Sequence, residues 1–214
     1  MNGNDGVIAI YLAAGLSRRM GMNKLELPWG EKTIGNSVLE KAVRSDLTYT
    51  IVVTRRSDRL GWIDGALFQP PLREKWKSVV CPEAEKGQAH SLHWGLHAAM
   101  EMGPKGIMVL LADQPLLPLR TINQLIFQYL ECRRENINIL FLAASFQGIP
   151  RPPIIFSPQA VPELLKLEGD EGARQLFKQA KLNGKLVDYE NGWDFYDVDT
   201  KEEYEILKGG GHEW

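Results

Sequence analysis

Val7-Ile8-Ala9-Ile10-Tyr11-Leu12-Ala13-Ala14-Gly15-Leu16-Ser17-Arg18-Arg19-Met20-Gly21-Met22-Asn23-Lys24 is the stretch from which the rest of the chain can be read. Val7–Ala14 is short, continuous, apolar and partly β-branched, and it stops at a glycine. That is the pattern of a strand buried on both faces of a parallel sheet. The loop that follows is polar and punctuated by Gly15 and Gly21. Glycines let successive backbone N–H groups turn toward an anion, and the loop reads either as such a nest, with Arg19 and Lys24 beside it to suit a triphosphate, or as a turn with two surface cations. A Walker loop is excluded because Leu25, not Ser or Thr, follows Lys24. A dinucleotide-dependent oxidoreductase is excluded as well: the loop lacks GxGxxG, and Val53-Thr54-Arg55 offers no acid after the second strand.

Outward from this stretch, Tyr49–Thr54 and Lys77–Cys81 read as strands, as does Gly106–Ala112, which is closed by Asp113-Gln114-Pro115. Ile137–Ala143 reads as a further strand. Helical periodicity lies between them, over Gly35–Arg44, Gln88–Met102 and Leu119–Cys132. The alternation predicts an α/β chain with three α/β/α layers and a mainly parallel sheet. Ligands of such sheets bind beyond the carboxyl ends of the strands, here at Gly15 and Asp113. Later in the chain, Gln147–Pro153 reads as a proline-rich loop and Ile154–Phe156 as a short strand. Pro158–Leu167, Glu171–Lys181 and Lys201–Leu207 read as helices, and Lys185–Tyr189 as an edge strand. No linker divides the chain, so residues 1–208 are expected to form one domain and residues 209–214 a disordered tail.

Lys and Arg total 25 against 27 Asp and Glu, so no basic excess points to nucleic acid or an anionic membrane. The two cysteines, Cys81 and Cys132, are far apart and form no CxxC, which suits a reducing compartment. No basic segment followed by an apolar run opens the chain, and its apolar runs are too short to span a bilayer. A soluble, cytoplasmic protein is expected.

Leu12–Lys24 fits the pattern LAAGxSxRMGxxK without a gap and resembles the molybdenum cofactor nucleotidyltransferases. These lie within the wider nucleotide-diphospho-sugar transferase-like group, and the resemblance implies that Rossmann-like fold. Leu12, Ala13, Ala14, Gly15 and Ser17 would contact the nucleotide, and Arg19 and Lys24 would neutralise its triphosphate. Ala14 makes the segment LAAG, as in the cytidylyltransferase branch; guanylyltransferases usually read LAGG. The implied nucleotide is therefore CTP, with GTP as the alternative.

Asp113, at the tip of a buried strand, reads either as a turn aspartate before proline or as a metal ligand. The family places an Mg²⁺-binding aspartate in this D-x-P motif, and its late D-[IV]-D-T motif resembles Asp197-Val198-Asp199-Thr200. Asp113 and Asp199 would hold Mg²⁺, with Lys24, Arg19 and Asp113 as the catalytic set. Read locally, Asp199 or Thr200 also serves as a helix cap. Gly87–Leu96 resembles the family's G-x-x-x-S-L-x-x-G, which brings Gly87 and Ser91 to the nucleotide.

Gly148–Phe156 resembles G-x-x-x-H-P-V-L-F, with Pro152 where the family has histidine, and Gly169–Arg174 matches GDxGAR. By that resemblance Arg151, Gly169, Asp170 and Arg174 lie on the acceptor side. His90, His93 and His97 share a helix face, but with no HExxH spacing or nearby cysteine they read as helix surface. The implied reaction transfers CMP from CTP to a molybdopterin-type acceptor, serving a molybdenum hydroxylase such as a xanthine dehydrogenase. The rival is a non-catalytic carrier of the finished cofactor, which has no need of Lys24 and the acidic pair.

Overall fold

The computed structural model describes residues 6–172 and 183–209. In chain order its main elements are β1 (Val7–Leu12), β2 (Pro28–Trp29), β3 (Lys32–Thr33), α1 (Ile34–Arg44), β4 (Tyr49–Arg55), β5 (Trp76–Cys81) and α2 (Gln88–Met100). They continue with β6 (Gly106–Leu111), α3 (Leu119–Arg134), β7 (Phe141–Phe146), β8 (Ile149–Phe156), α4 (Val161–Leu164), β9 (Gly184–Asp188) and α5 (Lys201–Lys208). Seven strands form one sheet in the order β5-β4-β1-β6-β8-β7-β9. Among the described residues β8 alone runs against the others in that sheet.

The alternation of side chains along β1 sorts the layers. Val7, Ala9 and Tyr11 enter the core shared with α1 and α3, through Val38, Leu39, Leu125 and Tyr129. Ile8 and Ile10 enter the opposite core with Leu92 and Leu96 of α2 and Leu164 of α4. Two contacts set the helix positions. The Tyr11 hydroxyl donates to the Gly35 carbonyl at 2.5 Å, which ties α1 to β1. On the other face, a Cβ at Gly95 would stand 2.4 Å from Ile10, so only glycine lets α2 lie this close to the sheet. The result is the expected three-layer α/β/α arrangement around a mainly parallel, Rossmann-like sheet.

The structure departs from the sequence reading in the second half. The strand expected from Ile137 begins at Phe141. Asn136 takes φ 57°, and the Ile137 N–H returns to the Cys132 carbonyl at 2.8 Å. The apolar residues after α3 therefore close that helix rather than open the strand. Ile149–Phe156 is one strand of 8 residues, although Gln147–Pro153 reads as a loop. Proline is tolerated here because β6 pairs only with Ile154–Phe156, and the register with β7 shifts between Ala143 and Ala144. The ladder thus skips Pro152 and Pro153.

The helix expected over Pro158–Leu167 shrinks to α4, flanked by three-residue turns. The β2–β3 hairpin was not anticipated. Glu171–Lys181 falls almost wholly outside the described residues, as do Arg174 and the tail beyond Gly209. Both cysteines are free and buried. No helix among the described residues is long and apolar enough to cross a membrane.

Candidate active site

The loop after β1 is held from behind by a small third core. Met20, buried at 1% exposure, packs there with Ile34, Val198 and Leu207, flanked by Trp29, Tyr196 and Tyr204. The Tyr204 hydroxyl donates to the Pro28 carbonyl at 2.8 Å, so α5 is pinned to the hairpin next to the loop. Within the loop, Met20 and Gly21 donate to the Ser17 carbonyl, and the Ser17 hydroxyl accepts from the Lys24 N–H. Ser17 holds φ 50° in this turn, in the left-handed region that non-glycine residues seldom occupy.

The end of β6 is stitched to the segment before α5. The Val198 N–H donates to the Asp113 carbonyl at 2.9 Å, and the Gln114 amide donates to the Asp197 carboxylate at 2.8 Å. At the start of α5 the Thr200 hydroxyl accepts from the Glu203 N–H, while the Glu203 carboxylate accepts from the Asp199 and Thr200 N–H groups. Thr200 is therefore the cap. Asp199 keeps its carboxylate clear of the helix terminus and directs it to the loop.

There the charges converge. Lys24 Nζ donates to Asp113 at 2.5 Å and to Asp199 at 2.7 Å, and Arg19 donates to the second oxygen of Asp199 at 2.6 Å. Lys24 is 7% exposed, an environment that requires a paired charge. Burial disfavours its ammonium form, but Asp113 and Asp199 outweigh that and lift its pKa above the ordinary lysine value. Burial likewise pushes Asp199 up, and Lys24 and Arg19 together bring it below the usual carboxylate value. The Asp113 Oδ1 atom is buried with no hydrogen-bond partner.

A cavity of about 500 Å³ opens above this cluster. It is lined by Leu12, Ala13, Ala14, Gly15, Ser17, Arg19 and Lys24, and across from them by Gly87, Ser91 and Asp170. Arg18 also reaches it. Gly87 takes φ 125°, and a Cβ there would lie 2.1 Å from the Gly169 carbonyl oxygen. The Ala89 N–H donates to that carbonyl at 3.0 Å. The glycine thus admits another backbone, and the Gly169-Asp170 turn caps the start of α2. The Ser91 hydroxyl is buried at the cavity wall and also faces the Cys81 thiol, whose pKa is raised mainly by burial.

The residues expected on the acceptor side therefore divide. Asp170 lines the loop cavity and Gly169 packs behind it against Gly87, whereas Arg151 lines a second cavity of about 640 Å³. Arg174 lies outside the described residues. Among the described residues no cluster of three or more metal-ligating side chains occurs; His93 instead sits 3.2 Å from the Leu164 carbonyl.

The glycine-punctuated loop, its two cations and Asp113 fall within residues 9–184, which match the domain model described as the MobA-like NTP transferase domain; Asp199, before α5, lies beyond that match. The chain belongs to this family. The transferase is 40% identical over 204 residues to the purine catabolism protein PucB of Bacillus subtilis (strain 168), covering 94% of this chain and 96% of that one. Among solved structures it resembles Rv0371c of Mycobacterium tuberculosis H37Rv, with a TM-score of 0.73 at 22% identity over 96% of this chain and 99% of that one. It also resembles the molybdopterin-guanine dinucleotide biosynthesis protein A of Archaeoglobus fulgidus, with a TM-score of 0.65 at 18% identity over 94% and 97% of the two chains. These two structures share the transferase's fold.

The spacing of the first loop located Lys24 and Arg19, but nothing in it signals that Met20 anchors the loop to Val198. Gln114, buried and bonded to Asp197, carried no sequence signal either.

Proposed function

We propose that the transferase moves CMP from CTP to the terminal phosphate of a molybdopterin-type cofactor, in support of a molybdenum hydroxylase such as a xanthine dehydrogenase. The observation that carries this reading is the contact of Lys24 with both Asp113 and Asp199 at the mouth of the loop after β1. The names of two relatives bear on the finer points: one is a purine catabolism protein and the other acts in molybdopterin-guanine dinucleotide biosynthesis.

The residues fit Mg²⁺. Two carboxylates with phosphate oxygens and water are its ordinary ligands, and Asp113 Oδ1 is a buried acceptor without a partner. Asp113 and Asp199 would hold the ion, which supplies charge neutralisation to the phosphate oxygens when bound. The chain's own groups do the rest. Backbone N–H groups of Ala14 to Ser17 receive the phosphates, with the base toward Gly87 and Ser91. Lys24 and Arg19 offset charge on the leaving pyrophosphate. An oxygen of the acceptor phosphate attacks the α-phosphorus of CTP, the bond from that phosphorus to the bridging oxygen breaks, and pyrophosphate departs with the electron pair. Positioning and charge are enough for this chemistry, and no side-chain nucleophile is needed.

The test is pyrophosphate release with Mg²⁺, molybdopterin and CTP or GTP. Release that needs both CTP and the acceptor is expected. Faster release with GTP would keep the mechanism and change the base. Tight nucleotide-independent binding of the finished cofactor with no pyrophosphate would replace the enzyme reading with the carrier.

A further inference from the structure

The Asp113-Gln114-Pro115 turn is gripped from two sides. The segment before α5 holds one side, where the Val198 N–H meets the Asp113 carbonyl and the Gln114 amide meets Asp197. Helix α1 holds the other. The Ser37 hydroxyl donates to the Pro115 carbonyl at 3.1 Å, and Lys41 Nζ donates to the same oxygen at 2.9 Å. Ser37 and Lys41 are one helical turn apart and share a face of α1. Ser37 is buried and Lys41 half-buried. The helix itself is fixed by the Tyr11 bond to Gly35 and by the close approach of Gly35 to Trp62, where a Cβ would lie 2.6 Å from the ring.

Charged groups from several elements face Lys41. Lys32 of β3 repels it, and Glu40 of α1 attracts it, although Lys32 and Arg44 already pair with Glu40. Asp194, between β9 and α5, attracts it too, and Arg120 of α3 faces Asp194 in turn. Burial and Lys32 outweigh the two carboxylates and bring Lys41 down to about 8. Burial and Asp194 push the Tyr189 hydroxyl up to about 12, so it stays neutral where Lys41 titrates.

We propose that Lys41, together with Ser37, is a positioning residue: by holding the Pro115 carbonyl it sets the Asp113 carboxylate for nucleotidyl transfer. This rests on the transferase reading given above. The protonated amine donates a charge-assisted bond, which is shorter and stronger than the bond a neutral amine donates. Loss of that proton slackens the α1 side of the turn and lets Asp113 move relative to Asp199.

Two readouts test this. The Val198 amide resonance reports the turn in the full chain without any substrate, because its N–H bonds the Asp113 carbonyl. It is expected to titrate with a midpoint near 8 in the wild type and to stay still in Lys41→Met. The second readout is pyrophosphate release at saturating Mg²⁺, CTP and acceptor, on both sides of that pH. Wild-type kcat should fall about 3–10-fold as Lys41 loses its proton, the margin of a charged over a neutral hydrogen bond, with KM for CTP unchanged. Lys41→Arg keeps its charge and should hold kcat across the range. Lys41→Met should begin at the reduced kcat and stay flat. Thermal midpoints check that each variant folds.

A wild-type amide that does not respond, or responds equally in Lys41→Met, overturns the proposal. So does a kcat that does not fall, or falls equally in all three proteins. If pyrophosphate is released but the amide stays still, the transferase reading stands without this grip. If the amide titrates as expected but no pyrophosphate is released, the grip on the turn stands and the transferase reading falls.

Discussion

The two cavities meet at the same pair of aspartates but are made by opposite means. The loop cavity is walled largely by backbone and charge: a run of consecutive residues from Leu12 to Arg19, with Lys24 close behind. The second cavity is walled by Phe146 and Arg151, by residues between Glu190 and Asp199 that include Trp193, Phe195 and Tyr196, and by Glu203, so aromatic rings and carboxylates predominate. A triphosphate carries charge and few distinguishing features, so backbone N–H groups and two cations suffice to hold it. Rings and a single guanidinium beside several carboxylates give the second cavity shape rather than a phosphate cradle. The comparison teaches that consecutive residues of one loop can build a charged cradle, whereas the second cavity depends on side chains that only the fold brings together.

The largest effect is expected at Asp113, the loop-side carboxylate that Lys24 bridges to Asp199. Asp113→Ala should lower turnover by about 10²–10³-fold, as the loss of one preorganised charged group does. Steady-state pyrophosphate release from a folded variant measures it, and near-normal turnover would remove Asp113 from the chemistry. Lys24→Ala comes next and belongs to the loop side alone. Nucleotide affinity should fall about 10–100-fold with the loss of its charged hydrogen bonds. Unchanged nucleotide affinity in calorimetry would remove Lys24 from the phosphate cradle.

Gly87→Ala should cost about 1–3 kcal/mol of stability, since φ 125° is strained for alanine and the new Cβ meets the Gly169 carbonyl. Denaturant unfolding reads this, and a neutral result would mean that the Gly169-Asp170 turn yields freely. The smallest effect is that of pH. Asp199 has a depressed folded pKa, so its contribution is complete above its unfolded value of about 3.9 and is lost as pH falls through the lower folded value. Lys24 is raised, so its contribution is complete below about 10.4 and is lost as pH rises through the higher folded value. Asp199 is one-third exposed, and its share should be below about 1 kcal/mol. Thermal midpoints of the wild type and Asp199→Asn across both limits test it: the variant should be flatter at the acid end.

Legibility in the sequence followed locality. The first strand, its loop and the helices α1 and α3 are written in runs and periods of a few residues, and the structure places them within a residue or two of the reading. The strand through Pro150, Pro152 and Pro153 was not legible, because proline is excluded from strands only where the ladder demands an N–H. Here β6 pairs no further than Ile154. The aromatic wall was likewise invisible: Trp193 and Tyr196 look like ordinary core or surface residues until Gly192 is seen lying on Phe146.

By itself the sequence determined that β1 is buried on both faces, that the loop after it gathers N–H groups and cations, and that strands end at Asp113. Each of these depends on neighbours along the chain, where alternation and turn chemistry act. Only the tertiary structure decided that Lys24 meets a carboxylate 175 residues away, and that Arg151 and Pro152 face different cavities. Those facts follow from the strand order, from the Val198 bond to Asp113 and from the point at which a ladder ends, and no local pattern specifies any of the three.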